Sequence, residues 1–541
     1  MNRLIGLLFA LVMLCLPSLA AAQETPAQGA APAEGGGTWA TIQKDKRLIW
    51  GSDMEGGGPF IFPREDDPEQ VTGFEVDLAD KLGEYLQVTP EFSQGQWDKL
   101  LDLLRAEKVQ LVINGYEWSP ERAELFEASM PYYVYALQLM ARSDDAGVTS
   151  WDDLKKPRPD GALMKIGVLT GSASQEVMEE HCGALCEVIG YDGNTDAMRE
   201  VETGKLDATL QDTPIASFYA PSFPALRPIG EPVAPGYYVI YARKGDKQLI
   251  QAVNEALILM LRNGELERIY GRYGIWDKQQ QELFTLAEHA KFFGYEKAAQ
   301  VEVNTADAPL TQAEVAVTST RKRGWVVVQD YFPVLVKSAG LTVVLAGLSF
   351  PLAVLAGILI AVGRLYGPAW VRLPLTAYVE FLRGTPLMLQ LYFIFFLLPE
   401  LGVNIPAFTT AVLGLAINYS AYESEIYRAG IQAIPGGQME AALSLGMSPT
   451  QAIFRVIVPQ AVRIVIPPVV NDFIALFKDT SVCSVVTLIE LTKRFTVLSM
   501  STQAVVEMML MTAFLYLVMS YPMSLIARNI EKRLGGSGVN V

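Results

Sequence analysis

Five apolar runs of membrane-spanning length, all in the second half, constrain this chain more than any other feature: about Val334–Val362, Leu373–Leu398, Ala407–Tyr427, Ile464–Leu488 and Ala504–Ile526. A bilayer core takes about twenty apolar residues of helix, so these runs predict an all-α transmembrane domain of five helices over residues 326–534. The whole chain has 541 residues, half of them hydrophobic, which is too long for one domain and too apolar for an ordinary soluble protein. Charge is divided unevenly. From Thr320 onward the net is +5, and ahead of that point it is −21. An acidic soluble part precedes a mildly basic membrane part, and no nucleic-acid patch is visible.

Met1–Ala22 has Arg3, the apolar run Leu4–Leu16 and small residues at Ala20-Ala21-Ala22, the pattern of a secretory signal peptide. The Ala-, Pro- and Gly-rich stretch from Gln23 forms a flexible lead-in to residue 40. Residues 41–278 are therefore expected outside the cytoplasm. There, short apolar strands alternate with amphipathic helices. Arg47–Gly51, Val109–Asn114, Leu137–Arg142, Lys165–Leu169 and Ala208–Gln211 read as strands, Asp77–Leu86 and Trp97–Arg105 as helices. This alternation predicts open α/β sheets. Tyr135–Ala141 and Tyr237–Ala242 are placed to cross between two lobes and leave a cleft at the hinge. Cys182 and Cys186 are four apart, close enough for a bridge in an exported domain if the segment is not a rigid helix. His181 and His289 have no partners for a triad or metal cluster. A polar segment and a Thr/Ala/Val-rich linker, residues 279–325, tether the two parts.

Between the third and fourth apolar runs lies a loop, residues 428–461. Pro435-Gly436-Gly437 breaks the chain, a short helix starts at Gln438, and Ala441, Ala442 and Leu445 make a small-residue face. Gly446 ends it, since a residue without Cβ tolerates the turn. EAALSLG, with VIVP nine residues later, resembles the coupling loop of ABC-transporter permeases. By that resemblance Glu440, Ala441, Ala442 and Gly446 dock on a separate ATPase.

The acidic segment carries its own resemblance. GFEVDLA (Gly73–Ala79), SPERAELFEASMPYY (Ser119–Tyr133), IGVLTGSASQE (Ile166–Glu176) and KLDATLQD (Lys205–Asp212) are similar to the polar amino-acid-binding proteins of bacterial ABC importers. The resemblance implies a two-lobed periplasmic-binding-protein fold of type II over 41–278. One lobe covers about 41–136 and 242–278, the other about 141–236, and they close on a free polar amino acid. It puts Asp53, Phe60, Trp97, Gly115, Glu117, Arg122, Gly171, Ser172 and Asp212 at the ligand. Arg122 would hold the α-carboxylate, which a bidentate guanidinium suits. Asp212 would pair with the α-ammonium and Trp97 stack on the side chain. Gly115, Gly171 and Ser172 would donate to the carboxylate. Glu117 stands where such proteins carry Ser or Thr, Ala173 where a hydroxyl is common, and Gly56-Gly57-Gly58 lengthens a loop. A buried carboxylate needs a cation or a proton. With Asp53 adding charge, Glu117 suggests a ligand with a basic or amide side chain. Its alternative partner is an arginine of the protein.

Starting outside, five spans put Arg364, Arg372, the 428–461 loop and the tail with Arg528, Lys532 and Arg533 in the cytoplasm, as positive charges prefer. Arg321-Lys322-Arg323 and Lys493-Arg494 fall outside, against that preference. Polar residues within the runs, among them Arg383, Glu423, Asn471 and Lys478, should face a bundle interior or dimer seam. EFLRGTPLMLQL and NDFIALFKDTS resemble the amino-acid branch of these permeases. Arg383 and Lys478 either line the path or neutralise Glu380 and Asp479.

No GxxxxGK[ST] occurs, so the chain is expected to hold no cofactor, with ATP on a partner subunit. Five spans imply a homodimer, since the usual transporter has two halves. The resemblance thus implies import of a polar amino acid by a multi-pass protein of the bacterial inner membrane, its N-terminal domain in the periplasm and lipid around its spans. A membrane sensor or ligand-gated channel on the same binding domain is the alternative. A sensor should continue into a signalling domain, and fifteen residues follow Ile526. A channel would lack the coupling loop. An enzyme would want an acid–base pair in the cleft, where Arg122 and Asp212 are a binding pair.

Overall fold

The structure, a computed structural model, describes residues 37–288 and 323–535. The signal peptide Met1–Ala22, most of the lead-in, His289, the linker with Arg321 and Lys322, and the side chains of Lys532 and Arg533 lie outside the described residues.

Twelve strands form in the N-terminal part: β1 (Arg47–Ser52), β2 (Phe62–Pro63), β3 (Val71–Thr72), β4 (Thr89–Gln94), β5 (Leu111–Val112), β6 (Phe126–Ala128), β7 (Tyr133–Arg142), β8 (Met164–Leu169), β9 (Cys186–Tyr191), β10 (Ala208–Asp212), β11 (Leu226–Tyr238) and β12 (Tyr241–Arg243). Two five-stranded sheets result, ordered β4-β1-β5-β12-β6 and β11-β7-β10-β8-β9. Each mixes parallel pairs with antiparallel ones: β1 runs parallel to β4 and β5, while β7 pairs antiparallel with β10 and β11. Helices such as Phe74–Leu86 and Lys247–Arg262 bury Leu78, Leu82, Val253 and Leu257 completely. Each such side chain contributes about 1.5–3 kcal/mol by leaving water.

The chain changes sheet twice, the first time earlier than the apolar pattern suggests and the second within Tyr237–Ala242. Tyr133–Tyr135 already belong to the second sheet, and the crossings lie between β6 and β7 and between β11 and β12. Hydrogen bonds fix the two crossings to each other. The Ser129 amide donates to Ile240 O at 2.9 Å, and the Tyr132 amide to Tyr238 O at 3.0 Å. A continuous apolar run does not mark where one sheet ends, because both flanks are buried. Cys182 and Cys186, at the end of helix Ala173–Cys182 and the start of β9, are bridged.

The C-terminal part is helical, as backbone in lipid must bond to itself. Among the described residues, three helices are long and apolar enough to cross a membrane: Trp325–Tyr366, Pro449–Val486 and Val505–Ile526. The expected run Leu373–Leu398 is not one helix. It splits into Ala369–Gly384 and Leu387–Tyr392, with Thr385 extended and Pro386 between. Proline has no N–H to continue a helix and forces its predecessor out of the helical region. Ala407–Gln432 is continuous over 26 residues but carries Asn418, Glu423, Glu425 and Arg428, which lower its hydropathy.

The two parts pack on each other. Leu100, Leu103 and Val112 of the first-sheet lobe share a buried apolar cluster with Leu391, Phe395 and Val486 of the membrane part. Helix Leu491–Thr502 packs beside β2 and the Met54–Gly56 turn. Glu490 starts that helix by accepting the Thr492 and Lys493 amides at 2.8 and 2.7 Å, and Gln503, left-handed at φ +57°, ends it. Val497 on it is fully buried in the same cluster as Met54 and Ile61.

Candidate functional site

The cleft is built where the Pro120–Leu125 helix of one lobe faces the start of helix Ala173–Cys182 of the other. Ser119 caps the first helix, its Oγ accepting the Arg122 amide at 3.3 Å. Arg122 folds back from it. Its Nη1 donates to Glu117 Oε2 at 2.8 Å and to Glu117 O at 2.9 Å. The guanidinium lies over the rings of Tyr116 and Trp97, 5.3 and 5.9 Å from their centroids. Those rings stack on each other at 4.8 Å. The other carboxylate oxygen of Glu117 accepts the Ala173 amide at 3.1 Å. Glu117 therefore takes its protein partner, and a ligand cation is not needed to balance it.

A guanidinium from one lobe and a helix N-terminal amide from the other converge on one carboxylate. That is a carboxylate-binding arrangement, filled here by the chain's own side chain. Asp212 stands at the end of β10, near enough to feel the charge of Glu117, with Tyr238 Oη donating to its carboxylate. Burial, and then the charge of Glu117, push the Asp212 carboxyl up to about 7 against the lowering by Tyr238.

Other expected ligand contacts are committed within the protein. Asp53 accepts from Gln94 Nε2 at 2.7 Å, from the Glu55 amide at 3.0 Å and from the Trp97 amide at 2.8 Å, so it orders its own loop. Gly115 has φ +59°, and a Cβ there would come 2.8 Å from Phe60 Cε1. Its amide donates to Glu75 Oε1 at 2.7 Å, and burial drives the Glu75 carboxyl up to about 7. Phe60 is buried against Phe74 and Tyr238. Ser172 Oγ donates to Leu169 O at 2.7 Å and meets Ser174 Oγ at 2.7 Å, while the Gly171 amide donates to Gln175. Trp97 Nε1 donates to Asn114 O at 3.1 Å, which fixes the ring across the cleft from Gly171. Sequence reasoning missed Tyr116, Tyr238 and the Ala173 amide. Tyrosines in apolar strands read as core, and an amide has no side-chain signature.

The long glycine loop has a structural account. The Gly58 amide donates to Tyr219 Oη at 2.8 Å across the lobes, and a Cβ on Gly58 would fall 2.0 Å from Phe218 Cε1.

In the membrane part the polar residues divide. Glu425 pairs with Arg364 and, at 2.6 Å, with Arg428; Asn418 Nδ2 donates to Gln390 at 3.1 Å. Tyr419 Oη donates to Asp479 at 2.7 Å. Glu423 is fully buried, whereas Arg383, Asn471 and Lys478 are exposed on the single chain. The helix expected to couple runs Gly436–Ser444, starting two residues earlier than expected. Ala442 alone of the expected face is buried; Ala441 and Leu445 are exposed, Leu445 at 81%. Gly446 ends the turn at φ +81°.

Residues 51–275 match the family described as bacterial extracellular solute-binding proteins, family 3. Residues 353–536 match the binding-protein-dependent transport system inner membrane component. A probable amino-acid ABC transporter permease protein, y4tG of Sinorhizobium fredii, is 39% identical over 207 residues, covering 38% of this chain and 90% of its own. The L-cystine transport system permease protein TcyB of Bacillus subtilis is 36% identical over 207 residues, 38% of this chain and 88% of its own. Among solved structures, an ancestral amino acid-binding protein, a precursor of cyclohexadienyl dehydratase, is 29% identical over 44% of this chain and 99% of its own, with a TM-score of 0.40.

Proposed function

The chain belongs to the amino-acid ABC transporter permeases, with a family 3 solute-binding domain fused ahead of the permease part, and we propose that it captures a polar amino acid outside the cytoplasmic membrane and delivers it to its own permease. The observation that carries the reading is the meeting of Arg122 and the Ala173 amide on one carboxylate, with the buried Asp212 carboxyl near it. A free amino acid offers the two groups this layout takes: a carboxylate to displace Glu117, and an ammonium for Asp212. Glu117 and Asp53 are satisfied within the protein, so recognition rests on the backbone end of the ligand and on the Trp97 face.

Energy comes from a separate ATPase. The Gly436–Ser444 helix presents Leu443 and Leu445, with Phe454 nearby in sequence, as exposed apolar side chains, and an amphipathic segment of this kind suits a groove on a partner. The permease works as a homodimer, with Arg383, Asn471 and Lys478 turned to the path or the second copy. The signal peptide, the periplasmic placing of 41–278 and the absence of an ATP site on this chain belong to the same reading. Calorimetric titration of the purified intact chain with the twenty amino acids and ornithine tests it, with Arg122→Ala as control. Tight binding of one polar amino acid, lost in the control, is expected; binding unchanged by Arg122→Ala refutes the site.

A further inference from the structure

Outside the cleft, a partly open cavity of about 430 Å³ is bordered by both lobes and the outer helix of the permease, lined among others by Glu55, Gln96, Tyr191, Asp192, Lys493 and Thr496. Its position follows from the chain. Glu55 and Gln96 flank Asp53 and Trp97, whose amide–carboxylate bond of 2.8 Å joins the two loops. On the other lobe Tyr191 O accepts the Thr170 amide at 2.9 Å, one residue before Gly171. A Cβ on Gly171 would lie 3.6 Å from the Trp97 ring. Trp97 and Gly171 thus meet beside the segments that line this cavity. Helix Leu491–Thr502 spans the outer side. Lys493 reaches the first lobe, and Met500 reaches the second, where a Cβ on Gly193 would come 2.6 Å from Met500 Cε.

Lys493 is the cation of the cavity. Its Nζ is 2.8 Å from Glu55 Oε2, and the side chains are 3% and 9% exposed. Asp192 and Asp196 line it from the second lobe, and Asp196 pairs with Arg199 at 2.7 Å. The cavity thus presents a cation from the permease and the Asp192 carboxylate from the binding domain: the complement of a zwitterion. Burial and the neighbouring Asp53 push the Glu55 carboxyl up to about 7, against the lowering by Lys493, so Glu55 gives up its charge near neutral pH more readily than an ordinary carboxylate.

We propose that this cavity is a hand-over chamber, in which Lys493 exchanges Glu55 for the carboxylate of an amino acid leaving the cleft and Asp192 receives its ammonium. The proposal rests on the import reading. The bland alternative is that Lys493 and Glu55 only clamp the lobe to the helix, which treats the two residues as equivalent. Hand-over does not: Lys493 is required, whereas Glu55 is a placeholder.

The test uses the intact chain with its ATPase in cells, and a uniformly ¹⁴C-labelled mixture of amino acids as probe. Two quantities are read: label retained by the purified chain, and label taken up by cells. Lys493→Met is expected to cut uptake about tenfold or more while retention stays within about twofold. Glu55→Gln is expected to cut uptake less than about threefold, and Lys493→Arg less than about fivefold. Equal losses in Lys493→Met and Glu55→Gln overturn the proposal in favour of a clamp. So does unchanged uptake in Lys493→Met, and so does loss of retention along with uptake. Should Lys493→Met fail to accumulate, a loss in Lys493→Arg as large as that of the Arg122→Ala control overturns it as well. A wild-type chain that retains no label refutes the import reading itself, and the chamber with it.

Discussion

Arg122 and Glu117 stand five residues apart and form an ion pair at 2.8 Å, while the second oxygen of the same carboxylate accepts the Ala173 amide of the opposite lobe at 3.1 Å. Glu117 is thus a tethered carboxylate lying across the two lobes, in the seat we propose for a ligand carboxylate. A tethered competitor has a high effective concentration, so it lowers the affinity of anything that must displace it.

Glu117→Thr is therefore expected to strengthen amino-acid binding about tenfold, one charge-assisted contact no longer being contested. Arg122→Ala should weaken it about a hundredfold or more, through loss of the charged donor. Titration calorimetry on the intact chain checks both. Weaker binding in Glu117→Thr would show that Glu117 holds the ligand rather than its seat.

The buried carboxyls set a pH dependence. Glu75 and Asp212 are pushed up to about 7, burial being the first cause in each, from unfolded values near 4. Between about pH 4 and 7 the folded chain binds more protons than the unfolded one, so stability falls as pH rises through this window. Without ligand, the thermal midpoint of the binding domain should be lower at pH 8 than at pH 5, by about 3 °C or more. Ligand reverses the sign at Asp212, since an ammonium stabilises the ionised form. Affinity should rise with pH toward 7 and then level off. Scanning calorimetry at pH 5, 6, 7 and 8, with and without ligand, measures both slopes. An Asp212→Asn variant should lose the pH slope of affinity.

The glycine loop makes a structural prediction. Gly58→Ala puts a Cβ 2.0 Å from Phe218 Cε1, and that ring is already packed at 5.5 Å on Phe62 and 5.1 Å on Tyr219. Overpacking of this kind costs about 1–3 kcal/mol, and here the strain falls on a contact between lobes. A lower thermal midpoint and weaker ligand binding are expected together. A Gly58→Ala chain that matches wild type in both would show that the lobes do not close on this loop.

Much of this architecture was legible in the sequence because burial writes itself as periodicity. β1 and β8, for instance, come out within a residue of their apolar patterns. The sheet change at Tyr133 was not legible, since apolar residues continue through it into β7, buried along nearly its whole length. In the membrane part, composition showed an apolar run across 373–398, and one residue, Pro386, divides it. The site residues were found by motif, but their states were not. Whether Asp53 faces a ligand or its own loop depends on three amides brought to it by tertiary structure. The basic residues Lys493 and Arg494, noted in the sequence as running against the positive-inside tendency, have partners that only the structure shows. Lys493 pairs with Glu55, Arg494 Nη1 donates to Pro68 O at 3.3 Å, and Lys337 pairs with Glu69. These cations bond to the acidic binding domain, a use of basic residues that a count of charges beside apolar runs does not reveal.

The coupling helix supplies the last prediction. Leu445 is 81% exposed and Leu443 42%, on a helix that tucks in only Ala442. Large apolar side chains left in water at the end of a membrane bundle mark a surface awaiting a partner. Leu445→Asp places a charge there and touches nothing in the cleft. Uptake should fall about tenfold or more, because desolvating an unpaired carboxylate at an interface costs several kcal/mol. Ligand affinity and thermal midpoint of the purified chain should be unchanged. Leu445→Met keeps the apolar volume and should retain most of the uptake. If Leu445→Asp imports at the wild-type rate, the ATPase does not seat on this helix. If it instead loses ligand binding, Leu445 acts on the fold and not on the coupling.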